Sequence, residues 1–277
     1  MISSVSIQGF KSFKSLNDFS LRPLNVLIGP NRSGKTNFLD FWDLLSQAGK
    51  QQLPNAINKR GGIDSVMSWD QNPSLAFELN FAAQAPFAQE TGIFYEAAIT
   101  RQQWSYAVSH ERLAQKPRRA GSKTNLLNMT SGKGLLYNHA TEKLERRNSQ
   151  FKNTDLAIAQ IRDAVAYPTF DKLRRYLTNI TVHRPFNTDE DTPIRNAQLI
   201  GVWDAELPST RLSRNGDNLT NVLYAMHNEP KYQAYYDEYL FTLQRAFPSF
   251  EQLLFPAGGD RARRFWRGKI ANSRVVP

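Results

Sequence analysis

Polar and apolar residues alternate over residues 4–8, with Val5 and Ile7 on one side, the pattern of a half-buried strand. A turn follows, Gly9-Phe10-Lys11-Ser12-Phe13-Lys14, and a second short strand is predicted near residues 19–22. Pro23 separates it from Leu24 and Val26-Leu27-Ile28, a continuous apolar run that reads as a short buried strand. Farther on, Phe38, Phe41, Trp42 and Leu45, with Leu39 and Leu44 beside them, recur at the spacing of one helix face. Residues 47–72 are polar and loop-like, punctuated by Gly61-Gly62. Alternation returns at Leu75, Phe77, Leu79 and Phe81, then at Tyr95, Ala97 and Ile99, then at Trp104, Tyr106 and Val108. Three such runs with short connections predict an antiparallel meander.

Periodicity fades over residues 112–150, which are basic and rich in Ser, Gly and Asn, so a mobile basic hairpin or loop is expected there. Without sustained heptads, no coiled-coil arm is expected. Thr154-Asp155 supplies an N-cap for a helix over residues 156–166 that Pro168 would end. Residues 170–178 predict another helix, and residues 179–183 a strand. After a loop-rich stretch over residues 187–216, Leu219, Val222, Leu223 and Met226 mark one helix face. Pro230 opens a longer helix whose Tyr232, Tyr235, Tyr236, Tyr239, Leu243 and Phe247 form a stripe expected to be core. Past Phe255 no strand is predicted.

Composition narrows the class. A chain of 277 residues with 40% apolar and 12% aromatic residues can bury an ample core. No run of 18 apolar residues is present, and MISSVSIQGF lacks the features of a secretory signal. The absence of cysteine removes disulfides and thiolate metal sites, and a cytoplasmic location is expected. The net charge of +10 is concentrated: residues 111–150 hold nine Lys/Arg against three Glu, and residues 260–277 hold six against one Asp. Such clusters suit contact with phosphate backbones, and equally a solvated face; the sequence leaves both open.

The candidate chemistry sits between the apolar run and the first helix. Gly29-Pro30-Asn31-Arg32-Ser33-Gly34-Lys35-Thr36 fits G-x-x-x-x-G-K-[ST], with a strand predicted before it and a helix after it, the context this phosphate-binding loop demands. A triphosphate concentrates negative charge. A glycine-bearing turn can aim backbone N–H groups at it, and the helix start adds the positive end of its dipole. Lys35 is expected to reach the β- and γ-phosphates, and the Thr36 hydroxyl to ligate Mg2+, with Asn37 at the same helix start. His110, His139, His183 and His227 lack ligand spacing, and Asp189-Glu190-Asp191 reads as a solvated turn.

The stretch S-I-x-G-F-K-S-F, followed by L-N-V-L-I-G-P-N-x-S-G-K-T-N-F-L-D, resembles the N-terminus of the ABC-type ATPase heads of the RecF, SMC and OLD group, nearest to bacterial predicted AAA-family ATPases related to RecF. The likeness is close over residues 1–45. It continues more loosely at Arg60-Gly61-Gly62-Ile63-Asp64, Tyr167-Pro168 and residues 212–223. It implies an α/β fold, a P-loop NTPase of ABC-head type with an antiparallel β-layer and a helical C-terminal part, here incomplete. Core strands and β-layer would occupy residues 1–110, a basic insertion 111–150, the helical part 151–257 and a basic irregular tail 258–277. The resemblance further implies ATP and Mg2+ as ligands, with Lys11 and Ser12 beside the nucleotide. As partners it implies DNA and a second copy in a head-to-head homodimer, or a partner chain, in DNA repair, recombination or phage defence.

This chain departs from that pattern in two ways. Arg32 stands where the group has a small residue, often Gly, and would be strained if its φ is positive. The sequence leaves open whether its guanidinium faces solvent, the nucleotide or a dimer interface. The catalytic Asp-Glu after an apolar strand, the LSGGQ-like signature and the switch histidine were not found. Asp204-Ala205-Glu206 follows too short a run, and Leu212-Ser213-Arg214-Asn215-Gly216-Asp217 reads as a loop into a helix cap. Gln84 is a weak candidate for sensing Mg2+. Hydrolysis is therefore left open and no catalytic residue is assigned. The abruptly basic, pattern-poor residues 258–277 suggest the N-terminal part of a longer head. The alternative is a catalytically inert module that binds nucleic acid or a partner chain. A GTPase is disfavoured because Asn58-Lys59-Arg60-Gly61 lacks the aspartate of N-K-x-D, and a small-molecule kinase because no acidic base or lid arginines are recognised.

Overall fold

The computed structural model describes residues 1–68, 74–83, 87, 92–103, 105–115, 124–147, 151–186, 198–199, 211–255, 263–264 and 267–270. The chain divides into two units, Met1–Val182 and His183–Pro277. Gln84, Trp104, the Asp189–Asp191 carboxylates and Asp204 with Glu206 lie outside the described residues.

The first unit is built on one antiparallel sheet of eight strands: β1 (Ile2–Phe10), β2 (Phe13–Ser20), β3 (Ser74–Phe81), β4 (Ile93–Gln102), β5 (Ser105–Gln115), β6 (Thr124–Thr130), β7 (Lys133–Asn138) and β8 (Lys143–Arg147), in the order β2-β1-β3-β4-β5-β6-β7-β8. The meander over β3–β5 is as the alternation predicts: Leu75, Phe77, Leu79 and Phe81 are buried while their neighbours are only partly so. The helices are α1 (Lys35–Gly49), α2 (Leu53–Asn58), α3 (Ile63–Val66), α4 (Ala157–Gln160) and α5 (Pro168–Thr178). Phe41 of α1 meets Phe10 of β1 and Phe77 of β3 edge-on, each with ring centroids 5.7 Å apart. Phe170, Leu173 and Leu177 of α5 are fully buried in the same core. Of the stripe that the spacing of α1 predicts, Phe38, Phe41 and Leu45 are buried and Trp42 partly so; of the two residues beside it, Leu44 is buried and Leu39 exposed.

Several expectations are corrected. The run Leu24-Asn25-Val26-Leu27-Ile28 is neither paired nor buried: Leu24, Val26 and Ile28 are 80%, 73% and 92% exposed. Apolar content alone does not make a strand. The ladder needs a neighbour, and Asn25 instead closes a local turn, accepting from the Arg22 amide at 3.0 Å and donating to the Arg22 carbonyl at 2.7 Å. The second strand lies earlier than predicted, at Phe13–Ser20. The stretch after α1, expected to be loop, holds α2 and α3, whose Leu53, Ala56, Ile57, Ile63 and Val66 are buried. Over residues 111–150, where a mobile basic hairpin or loop is expected, the described residues carry β5 to Gln115 and add β6–β8 to the sheet.

Pro168 opens α5 rather than ending a helix, as suits a residue without an N–H to offer. The helix expected over residues 156–166 shrinks to α4, and Asp155, expected to cap it, accepts the Leu53 amide at the start of α2 at 3.1 Å. Residues 179–183 form no strand.

In the second unit, α6 (Leu219–Asn228) and α7 (Gln233–Ala246) are as predicted, and the unit also holds β9 (Gln198–Leu199), β10 (Phe250–Leu254), β11 (Arg263–Arg264) and β12 (Arg267–Ile270). Two pairings, β10 with β12 and β11 with β9, place strands where none was expected past Phe255. The aromatic stripe of α7 is mostly not core: Tyr236 is buried against Leu223 and Leu253, whereas Tyr235 and Phe247 are 63% and 60% exposed.

Glu111 is the one fully buried carboxylate of the sheet. It accepts the Ala157 and Ile158 amides at 2.5 and 3.0 Å and the Tyr95 hydroxyl at 3.0 Å, so it fastens the start of α4 to β5. Burial pushes its pKa up to about 7, against the pull of those three donors. A folded-state pKa above the unfolded value means that the native state holds the proton longer, so stability should fall as pH rises from about 4.5 to about 7, by about 3 kcal/mol in all. Glu111→Gln should flatten that slope in urea unfolding, and Glu111→Ala, which strands two buried amides, should cost about 2–3 kcal/mol. Ile28→Ser should shift the unfolding free energy by no more than about 0.5 kcal/mol, where a buried strand position would lose about 2–4.

Candidate functional site

The loop from Gly29 leads into α1 at the rim of the sheet. Its conformation uses left-handed backbone at two positions: Gly34, directly before α1, has φ +93°, and Arg32 has φ +69°. Arg32 therefore occupies the strained position that its departure from a small residue suggested, at a cost of about 1–2 kcal/mol relative to an unstrained residue. The loop also folds closely on itself. A Cβ on Gly29 would stand 2.9 Å from the Ser33 hydroxyl oxygen, and one on Gly34 would stand 3.1 Å from that of Ser12.

Lys35 closes the loop over. Its ammonium donates to the Gly29 and Pro30 carbonyls at 2.8 Å each and reaches the Ser33 hydroxyl at 3.4 Å. The first helical bond of α1 runs from the Phe38 amide to the Gly34 carbonyl at 2.9 Å, so the amides of Lys35, Thr36 and Asn37 precede the helical ladder. The helix start carries neither a side-chain cap nor an acidic residue in its first turn. Glycine-bearing backbone, uncapped amides, a lysine and the exposed Thr36 hydroxyl together form a donor set suited to an anion with several oxygens. Among the described residues no group of three or more His, Cys, Asp or Glu converges on a metal position. A magnesium ion here would take the Thr36 hydroxyl and oxygens of the anion itself.

The β1–β2 turn is fastened to α1 at two points. Asn37 donates to the Ser12 hydroxyl at 2.7 Å, and Lys11, with φ +48°, forms an ion pair with Asp40. Thus Ser12 does adjoin the loop, while Lys11 turns its charge to α1 instead of to the loop. Arg60, at the end of α2, completes the arrangement. Its guanidinium donates to Asp40 at 2.9 Å, to Asp43 at 2.5 Å and to the Ala56 carbonyl at 2.8 Å. Burial works against the charge of Asp40, but the hydrogen bonds and charges of Arg60 and Lys11 outweigh it and hold its pKa below the ordinary carboxylate value.

Arg60 has a role that its own sequence surroundings do not announce. The signal was available in α1, where Asp40 and Asp43 stand three apart on one face and require a cation.

Of the expected site residues, Gly29, Pro30, Asn31, Arg32, Ser33, Gly34, Lys35, Thr36 and Asn37 form one contiguous loop and helix start, with Ser12 against it. The family model described as the AAA ATPase domain matches residues 1–250. No match to a curated protein was found. The strain at residue 32 gives a direct test. Arg32→Gly should raise stability by about 0.5–1 kcal/mol, the relief of left-handed strain less the added chain entropy. Gly34→Ala should lower both the melting temperature and any anion affinity, because its Cβ meets Ser12 at a φ that disfavours it.

Proposed function

The chain belongs to the AAA ATPase domain family, and on that premise we propose that it binds Mg-ATP at residues 29–37 and acts as a nucleotide-controlled switch of the RecF, SMC and OLD kind. The observation that carries this reading is the closed loop itself: Lys35 bonded to carbonyl oxygens beside three uncapped amides at the start of a long helix. Neutral carbonyls hold an ammonium less strongly than phosphate oxygens do, so an incoming triphosphate gains charge-assisted bonds from the same lysine. Gly29, Gly34 and the amides of residues 35–37 would surround the phosphates, Lys35 would take the β- and γ-oxygens, and Thr36 would ligate the magnesium ion. Magnesium, when bound, neutralises charge on the terminal phosphates. Asn37 ties the Ser12 turn to the helix start, and Asp40 with Lys11 is the second tie to that turn.

In this role the nucleotide is a signal, not a phosphate donor. Its partners are DNA and a second copy engaged head to head, in repair, recombination or defence against phage. ATP turnover needs a carboxylate that activates water, and no residue is assigned to that task.

The experiment is calorimetric titration of Mg-ATP with phosphate release in parallel, on the chain and on Lys35→Ala. Binding that the substitution lowers at least a hundredfold supports the reading. Binding untouched by Lys35→Ala, or none by the unaltered chain, would overturn it in favour of an inert interaction module. Phosphate release that depends on Lys35 would bring Asp204 and Glu206 under test as the catalytic pair.

A further inference from the structure

The pleat of β6–β8 sorts charge by face. On the side packed against the core lie Leu136 and Glu145, paired in register, with Asn138 opposite Lys143 and Arg147 opposite Gly134. There Glu145 accepts the Tyr167 hydroxyl at 2.7 Å, the Asn138 amide at 2.5 Å and the Arg147 guanidinium at 2.8 Å. The opposite side carries Lys133, Leu135, Leu144 and Arg146, all exposed, with Asn128 opposite Leu135 and Thr130 opposite Lys133. Neither Lys133 nor Arg146 has an ion-pair partner among the described residues. The three acids of residues 111–150 are all withdrawn from this surface: Glu111 is buried, Glu145 is engaged on the far side, and Glu142 sits in the β7–β8 turn, at the other end of the hairpin from Lys133 and Arg146.

We propose that this outward face of β6–β8 binds the phosphate backbone of nucleic acid, with Lys133 and Arg146 as phosphate contacts and Asn128 and Thr130 as hydrogen-bonding groups beside them. Unpaired cations set among amide and hydroxyl side chains are the residue types that contact phosphate and sugar without reading bases. The binding is therefore sequence-independent and strongly salt-dependent. An acidic protein would meet the same cations, but the chain's overall +10 charge and the basic stretch joining β5 to β6 favour a long, uniform polyanion. The proposal gives the DNA partner of the proposed function a surface, and rests on that reading for its biological role alone.

The test is fluorescence anisotropy of a short labelled DNA duplex of mixed sequence, titrated with the full chain between about 50 and 200 mM salt. Lys133→Glu/Arg146→Glu should weaken binding about tenfold or more and shallow the salt slope by about two. Lys50→Glu/Lys59→Glu, the same charge change at exposed positions elsewhere in the first unit, should stay within about threefold. Lys133→Gln/Arg146→Gln should give an intermediate loss, and melting temperatures should match throughout, since the altered side chains are exposed. The titrations are made without nucleotide, so a failure of the nucleotide reading leaves this result standing. Equal loss in the two Glu pairs, no binding by the unaltered chain, or competition by polyglutamate as effective as by unlabelled DNA would overturn the proposal.

Discussion

Asp40 keeps a negative charge where burial opposes it, and the cations that make this tenable come from two other elements, Arg60 at the end of α2 and Lys11 in the β1–β2 turn. The pairing is thus a joint between α1, α2 and the sheet. Removing either cation would leave a largely desolvated carboxylate less well compensated, a larger penalty than the loss of a surface ion pair. One turn nearer the loop, Asn37 and Ser12 make the second tie between the same turn and the same helix. Two fastenings about one helical turn apart fix rotation as well as position, so the loop enters α1 at a set angle.

What could be read from the sequence followed from short-range physics. The alternation in β3 and the helical spacing in α1 report the burial of one face, and burial is what each element does in the structure. The spacing over residues 29–36 reflects backbone geometry, and Arg32 takes the positive φ under which its bulk is strained. Long-range pairing was not legible. Leu24-Asn25-Val26-Leu27-Ile28 has the composition of a buried strand, yet whether it pairs depends on a neighbour the run does not encode. β6–β8 erred in the opposite direction: with lysine and arginine on one face and a half-buried ion pair on the other, their alternation lacks the apolar contrast that marks a strand. Asp155, expected to cap the helix that follows it, accepts instead an amide about a hundred residues away, which nothing local announces.

Glu111 and the outward face of β6–β8 illustrate how one sheet handles ionic groups in two ways. A carboxylate that faces inward must be surrounded by donors, and it binds α4 to the sheet as a result. Cations that face outward keep their hydration and need no partner, which leaves them available to one.

Lys35 has a consequence for how the loop meets any ligand. With its three donors turned onto the loop's own oxygens, the free loop is its own competitor, and every ligand is selected against that internal standard. A ligand bearing a single weakly charged group gains little by displacing the lysine, whereas each added anionic oxygen widens the margin. Selectivity between nucleotides of different phosphate number can thus arise before any base or sugar is touched, from the exchange of one cation between two sets of oxygens.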